Sequence, residues 1–527
     1  MQEIFASIST GPSVVFPAIA YRAIAPEGIL IVGALLIMLA TSFFPSLKRP
    51  RLVGSMSLVV ALIGLGDSLS LWANFREHGA FRTVAGSITL DGFSIFLIIT
   101  IMTGIVLSVL ASQAYLLKDG IGAVEFQLLL LLSGSGAVLL VSAGDLIVIF
   151  LGLEILSIAL YVMTAFDKRR EQSGEAGIKY YILGGFSSAI FLYGIALVYG
   201  GTGSTNILKI ATYLSTYTLT SNGVLLGGVI LIIVGLAFKI AAVPFHLWTP
   251  DVYQGAPSAA TGYMASVAKT AAFAGLLRIL VSAFPMLQLD WLPFIWTLSA
   301  LSLVAGALLA VVQKDLKRML AYSSINHAGF VLLGVVASST AGVSAALFYL
   351  LAYTVMVIGT FAIVNLFEDG SGSVSLENLR GLKSTNPALA FFLAVLLVAQ
   401  AGAPLTTGLI AKLVVVSAVV SSHSYALAII AMLSAVIATL FYLRVVSIIF
   451  SKPRTKSSVA LEREKVMSDG SMTLEPEVSN VGPEFPLRLR IPPETIVTIG
   501  LTVGFTIVFG IFPNLLLEMA NAAKVLY

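Results

Sequence analysis

The sequence predicts an all-α polytopic membrane protein of about 14 transmembrane helices, and three observations carry that expectation. Of the 527 residues, 58% are hydrophobic and 11% charged, with a mean hydropathy of +0.99; a soluble domain needs about a quarter charged residues to cover its surface. Charge-poor segments long enough to cross a bilayer recur along almost the whole chain. The basic residues concentrate in every second loop, as they do in a chain that threads back and forth through a membrane.

The spans fall roughly at 28–45, 52–73, 92–112, 123–142, 145–165, 179–199, 223–247, 256–281, 292–311, 322–338, 344–366, 388–418, 425–450 and 493–516. The opening MQEIFASISTGPSVVFPAIA has no basic n-region and no cleavage site of small residues. It reads as a retained exterior tail with room for a re-entrant element, not as a signal peptide. Loops after odd-numbered spans hold 19 Lys and Arg, among them Lys118, Arg169, Arg170, Lys317 and Arg318; the other side holds only Arg22, Arg76, Arg82, Lys209 and Lys524. This split puts the odd loops in the cytoplasm and both termini outside. The mixed-charge stretch from Ser451 to Pro486 reads as a cytoplasmic loop or docking strap.

Spans seven and twelve are unusually long and interrupted. Pro244 follows Lys239 in the first, and AQAGAPLTTG precedes Lys412 in the second. Proline removes a backbone donor and glycine loosens the helix, so each span should break, freeing polar groups that only a wet or protein-lined interior can satisfy. A broken helix in each half points to inverted repeats around an ion path.

Lys239, Lys269 and Lys412 sit inside apolar stretches, and Glu154 is the acid of span five. A charge near the middle of a bilayer costs about 2.5–3.5 kcal/mol even on lenient scales, so such residues mark ion or proton pathways. The natural partner of Glu154 is a buried Lys, because pairing lowers the cost of both charges. A desolvated amine holds its proton less tightly and a nearby carboxylate restores the affinity, so small rearrangements let one group take up and release a proton. Lys179, flanked by tyrosines, fits a relay or an interfacial anchor equally. His327, in AYSSINHAGF, is placed to relay protons between Lys269 and Lys412 with Tyr322, Ser323 and Ser324, or else is a packing histidine; His246, after the break, is similarly ambiguous.

Soluble-enzyme chemistry is absent. The sequence has no Cys, which excludes disulfides and cysteine-ligated iron–sulfur clusters, and only four His. The glycines of GSGAVLLVSAG and GLGDS lie within or beside apolar spans, without the strand–helix alternation of a phosphate cradle.

The segments VVQKDLKRMLAYSSINHAGF, FKIAAVPFHLWTPDVYQGAPSAATGYMASVAKTAAF and FLGLEILSIALYVM resemble the antiporter-like membrane subunits of respiratory complex I, the proton-translocating NADH:quinone oxidoreductase. The resemblance covers nearly the whole chain. It implies fourteen helices, with the fourth to eighth and ninth to thirteenth forming two inverted five-helix repeats and with helices 7 and 12 broken. It also implies proton translocation driven by redox energy released in a peripheral arm. Carried onto this chain, the family's helix-five glutamate matches Glu154, its lysines of helices seven, eight and twelve match Lys239, Lys269 and Lys412, and Lys179 matches a further lysine of the subunit N branch. Lys412 favours the N or L branch over M, which typically has a glutamate there, and the chain's end soon after span fourteen favours N over L. AGAPLTTGL departs from the family's usual paired prolines and phenylalanine.

The implied organisation is an N-terminal tail with helices 1–3 (1–120), a first repeat (121–285), a second inverted repeat (286–450), a cytoplasmic loop (451–490) and helix fourteen with an exterior C-terminus (491–527). The implied setting is the bacterial inner (plasma) membrane, with subunits M, K and J and membrane lipid as partners, protons as cargo, and no nucleic acid. No cofactor is expected in this chain; NAD, FMN, iron–sulfur clusters and quinone belong elsewhere in the complex. Three rivals share these features: a subunit of a multi-component sodium/proton antiporter, a ferredoxin-linked plastid or cyanobacterial relative, and a non-pumping membrane scaffold.

Overall fold

A computed structural model describes residues 19–119, 122–217, 222–368, 370–452 and 491–525. The N-terminal tail through residue 18 and the hydrophilic stretch 453–490 lie outside the described residues, and so do the re-entrant and docking-strap expectations attached to them. The described chain is almost entirely helical. Helices α1 (Ala25–Phe43) and α2 (Pro50–His78) lead into a small antiparallel hairpin, β1 (Phe81–Thr83) and β2 (Ile88–Leu90). Then come α3 (Gly92–Asp119), α4 (Ala123–Ser142), α5 (Leu146–Thr164), α6 (Glu171–Thr202) and the short α7 (Ile207–Thr216). The second half of the chain continues with α8 (Gly223–Ile240), α9 (Trp248–Gly255), α10 (Ser258–Ala283), α11 (Gln288–Val311), α12 (Leu316–Ala337) and α13 (Thr340–Val364). It ends with α14 (Pro387–Ala401), α15 (Thr407–Ser421), α16 (Tyr425–Phe450), α17 (Pro493–Ile511) and α18 (Asn514–Ala522).

Among the described residues, 13 helices are long and apolar enough to cross a membrane. The segment expected as the interrupted span twelve consists of two 15-residue helices, α14 and α15. At 1.5 Å per residue each reaches only about 22 Å, short of the roughly 30 Å hydrocarbon layer.

Helices α10, α12 and α13 form the centre and are buried on every side, whereas α1, α2 and α6 turn broad apolar faces outward. Close helix crossings depend on glycine. A Cβ on Gly228 of α8 would lie 2.9 Å from the Gly194 carbonyl of α6, and one on Gly152 of α5 would lie 2.9 Å from the Gly136 carbonyl of α4. The glycine-rich run in α4 is therefore a helix-packing surface.

Two aspartates start helices in the same way at opposite ends of the bundle. Asp145 caps α5 by accepting from the Ile147 amide at 2.9 Å, takes the Thr205 hydroxyl at 2.8 Å and bridges to Asn206. Asp315 caps α12 through the Arg318 amide at 2.8 Å, takes the Ser373 hydroxyl at 2.6 Å and bridges to Ser375. In each case the side chain satisfies amides that the first helical turn leaves open.

Two helix ends also match. After α8, Ala241 turns left-handed at φ 59°, its amide bonding Phe238 and that of Ala242 bonding Ala237; after α14, Gly402 turns at φ 98°, its amide bonding Ala399 and that of Ala403 bonding Val398. Both are Schellman endings. Ala241 adopts this conformation at a cost of about 1–2 kcal/mol that Gly402 avoids.

At the end that carries the basic loops, an ion network ties distant segments together. The wholly buried Lys317 amine donates to Glu368 at 2.7 Å and to the Ala256 and Gly372 carbonyls at 2.6 and 2.9 Å. Arg170 reaches Glu368 at 3.4 Å and Asp167 at 2.9 Å, and Lys118 donates to the Glu368 carbonyl at 2.9 Å. Hydrogen bonds from Arg169, with the charge of Arg170, hold the Asp167 carboxyl below the usual carboxylate range despite its burial. Arg170 and Lys317, counted in the sequence as loop charges facing the cytoplasm, are thus internal.

Candidate functional site

Lys239 is the penultimate residue of α8, where the apolar face of that helix buries it. Its amine sits 4.8 Å from the ring centre of Tyr180 and 5.0 Å from that of Tyr161, and donates to the Tyr180 hydroxyl at 3.4 Å. Aromatic faces attract a cation without supplying a counter-charge. Tyr180 stacks on Trp248 of α9 with ring centres 4.6 Å apart, and the Trp248 indole donates to the Phe238 carbonyl at 3.0 Å. That bond gives the Phe238 carbonyl a second donor beside the Ala241 amide and fastens the two sides of the interruption together.

Glu154, on α5, does not form the direct pair with a buried lysine that the sequence suggested. Its carboxylate accepts instead from the Ser188 hydroxyl of α6. Among the described residues no carboxylate lies within the 4.0 Å ion-pair distance of Lys239, Lys269 or Lys412. The physical reason is lateral: Tyr161 and Tyr180 occupy the space over the Lys239 amine.

Lys269, buried in α10, donates to the Ser324 carbonyl at 2.9 Å and hydroxyl at 2.5 Å. Next in the chain, Ser323 shares a short hydrogen bond with Tyr442 of α16, and the Tyr442 hydroxyl contacts His327 Nε2 at 3.1 Å and Gln400 Oε1 at 3.4 Å. His327 Nδ1 contacts Tyr349 at 2.6 Å. Gln400 adjoins Ala401, whose carbonyl, freed at the end of α14, accepts from the Lys412 amine at 2.7 Å. Lys412 also lies 5.0 Å from the ring centre of Phe330. A nearly continuous polar track therefore runs from Lys269 past His327 to Lys412. The expected Ser323 and Ser324 lie on it, while Tyr349 and Tyr442, not Tyr322, flank the histidine.

Lys179 stands apart from the buried lysines. It is half-exposed and pairs with Glu175 at 2.6 Å and with Asp251 of α9 at 3.0 Å. Asp251 also accepts from Arg318 of α12 at 2.7 Å. His246 lies in the interruption with no hydrogen-bond partner on Nδ1. Sequence reasoning passed over Asp251, although it is the only carboxylate between Glu175 and Asp290. It also passed over the tyrosines and Gln400, which look like ordinary core residues. Among the described residues, no cluster of three or more metal-ligating side chains occurs.

Comparison with known proteins fits this geometry. Residues 143–438 match the family model described as NADH:quinone oxidoreductase/Mrp antiporter, TM. The chain is 39% identical to NADH-quinone oxidoreductase subunit N of Trichlorobacter lovleyi over 83% of this chain and 89% of that one, and 37% identical to subunit N 1 of Herpetosiphon aurantiacus over 96% and 97%. A chain of respiratory complex I from Thermus thermophilus superposes with a TM-score of 0.74 at 29% identity, covering 94% of this chain and 98% of that one. A chain of the Mrp complex from Dietzia shares the fold at a TM-score of 0.80 and 22% identity, covering 96% and 97%. This chain belongs to the NADH:quinone oxidoreductase/Mrp antiporter family of membrane subunits, on its subunit N branch.

Proposed function

We propose that this chain is a proton-translocating membrane-arm subunit of a bacterial NADH:quinone oxidoreductase, contributing no redox centre of its own. The observation that carries the reading is the set of three buried amines, Lys239, Lys269 and Lys412, none with a carboxylate partner among the described residues. An unpaired buried ammonium is costly, so each amine is poised to give up its proton when its surroundings close and to regain it when they open.

In this reading protons taken up from the cytoplasm reach Lys239. Movement of Glu154 away from Ser188 and toward that amine sets its proton affinity. Lys269, His327 and Lys412 then pass protons along the Ser324, Tyr442 and Gln400 track. Lys179 serves the cytoplasmic side. Redox energy arrives from elsewhere in the complex, where NAD, FMN, iron–sulfur clusters and quinone are bound.

The matched Asp145 and Asp315 caps, at opposite ends of the bundle, support two inverted repeats, 121–285 and 286–450. The matched Schellman endings support reading α8/α9 and α14/α15 as the broken seventh and twelfth spans. Subunits M, K and J are the proposed membrane neighbours, with both termini on the exterior face. The test is Lys239→Met in inverted vesicles, with NADH-driven proton uptake normalised to assembled complex and quinone reductase activity. Lost uptake in intact complex supports the reading; full uptake with poorer assembly favours a scaffold.

A further inference from the structure

Asp251 links the two halves of the buried-lysine system. It lies on α9, the short helix beyond the first interruption, and its two carboxylate oxygens reach different helices: Oδ2 takes the Lys179 amine of α6 at 3.0 Å and Oδ1 takes the Arg318 guanidinium of α12 at 2.7 Å. Gln254, one turn further along α9, also accepts from Arg318 at 3.1 Å. Each partner leads to a lysine site. Lys179 precedes Tyr180, which contacts Lys239 and stacks on Trp248 of α9. Arg318 lies on the same helix as Ser324, which holds Lys269. A rigid α9 that moves with the Tyr180–Trp248 stack must therefore change the division of Asp251 between Lys179 and Arg318.

Position in the chain points the same way. Asp251 lies ten residues beyond the left-handed Ala241, and Lys412 lies ten residues beyond the left-handed Gly402. Asp251 thus stands in the first interrupted span where the buried Lys412 stands in the second. Lys179 also pairs with the more exposed Glu175 at 2.6 Å, so it keeps a counter-charge when Asp251 leaves it; Lys179, Asp251 and Arg318 are half-buried, where a charge pair is screened less than at an open surface and its partner exchange is felt by its neighbours.

We propose that Asp251 is a positioning residue that couples the protonation state of Lys239 to that of Lys269 by exchanging between Lys179 and Arg318; this rests on the proton-translocation reading above. A coupling claim of this kind needs a direct measurement. The experiment compares Asp251→Asn, Asp251→Glu and Lys239→Met in intact complex reconstituted into liposomes, reading protons moved per NADH oxidised at matched complex content. The expected result is at least a threefold loss in Asp251→Asn with assembled complex retained, and recovery of most of the ratio in Asp251→Glu. A wild-type ratio in Asp251→Asn beside a lost one in Lys239→Met overturns the Asp251 proposal alone. A wild-type ratio in Lys239→Met overturns the function on which it rests. Should Asp251→Asn fail to assemble, the Lys179→Met/Asp251→Asn pair replaces it, read beside Lys179→Met alone; a ratio in the double no lower than in that single overturns the proposal.

Discussion

The Asp91–Arg278 pair offers the prediction whose size follows most directly from the structure. Both terminal nitrogens of Arg278, near the end of α10, donate to Asp91 at the start of α3, at 2.5 and 2.9 Å. The guanidinium also lies 4.7 Å from the Phe93 ring. Both residues are at most 3% exposed, so solvent cannot replace a lost partner. Asp91→Leu strands a buried guanidinium, at a cost of about 3–5 kcal/mol, or about 150- to 5,000-fold in the folded population. Arg278→Leu removes the guanidinium from the buried carboxylate and is destabilising as well. Replacing both with Leu removes the desolvation penalty together with the attraction, and such replacements are often close to neutral. Some deficit remains, about 1 kcal/mol, because Asp91 also accepts the Ser94 amide at 2.8 Å. The assay is the yield and thermal midpoint of the detergent-solubilised intact complex for both singles and the double. Either single collapses the yield and the double restores most of it. A single variant as stable as wild type, or a double worse than either single, would falsify the buried-pair argument.

Other expectations follow from the same geometry. Gly228→Val should block assembly, because a side chain there meets the Gly194 carbonyl at 2.9 Å, whereas Gly185→Ala, with nothing within 4 Å, should assemble normally; co-purification of partner subunits distinguishes the two. Gly402→Ala forces a Cβ into a φ of 98° and to within 3.1 Å of Lys412 Cδ, adding about 1–2 kcal/mol of strain at the Ala401–Lys412 contact. Its proton uptake per quinone reduced should fall while assembly persists, and unchanged uptake would remove that contact from the path. Glu368→Gln leaves the buried Lys317 with two carbonyls and no counter-charge, so complex yield should drop several-fold; Lys317→Met in the same background should restore much of it, as read on native gels.

Much of this molecule is legible in its sequence, because the bilayer imposes a length and a polarity on every crossing segment. Hydropathy locates the long helices, and the proline and glycines after Lys239 and before Lys412 locate the two interruptions. Depth is equally legible: Lys239, Lys269 and Lys412 are buried, as their apolar flanks require. Lateral orientation is not. Nothing in the residues around Glu154 distinguishes a carboxylate facing Lys239 from one facing Ser188, since both neighbours come from other helices. Counting basic residues by loop says nothing of which way a side chain turns: Arg170 and Lys317 point inward onto Glu368 far along the chain. Lys179 and Asp251, 72 residues apart, pair only because α9 folds back across α6.

The central claim is that unpaired buried amines carry protons, and Lys269 tests it most directly. Among the described residues its amine has only the Ser324 oxygens as hydrogen-bond partners, so Lys269→Met breaks no ion pair there and lifts a desolvation penalty. The measurement is NADH-driven proton uptake per assembled complex in inverted vesicles, taken alongside the thermal midpoint of the same preparation. The account predicts an assembled complex at least as stable as wild type that has lost most of its proton uptake. Uptake at the wild-type level in that stable complex would contradict it.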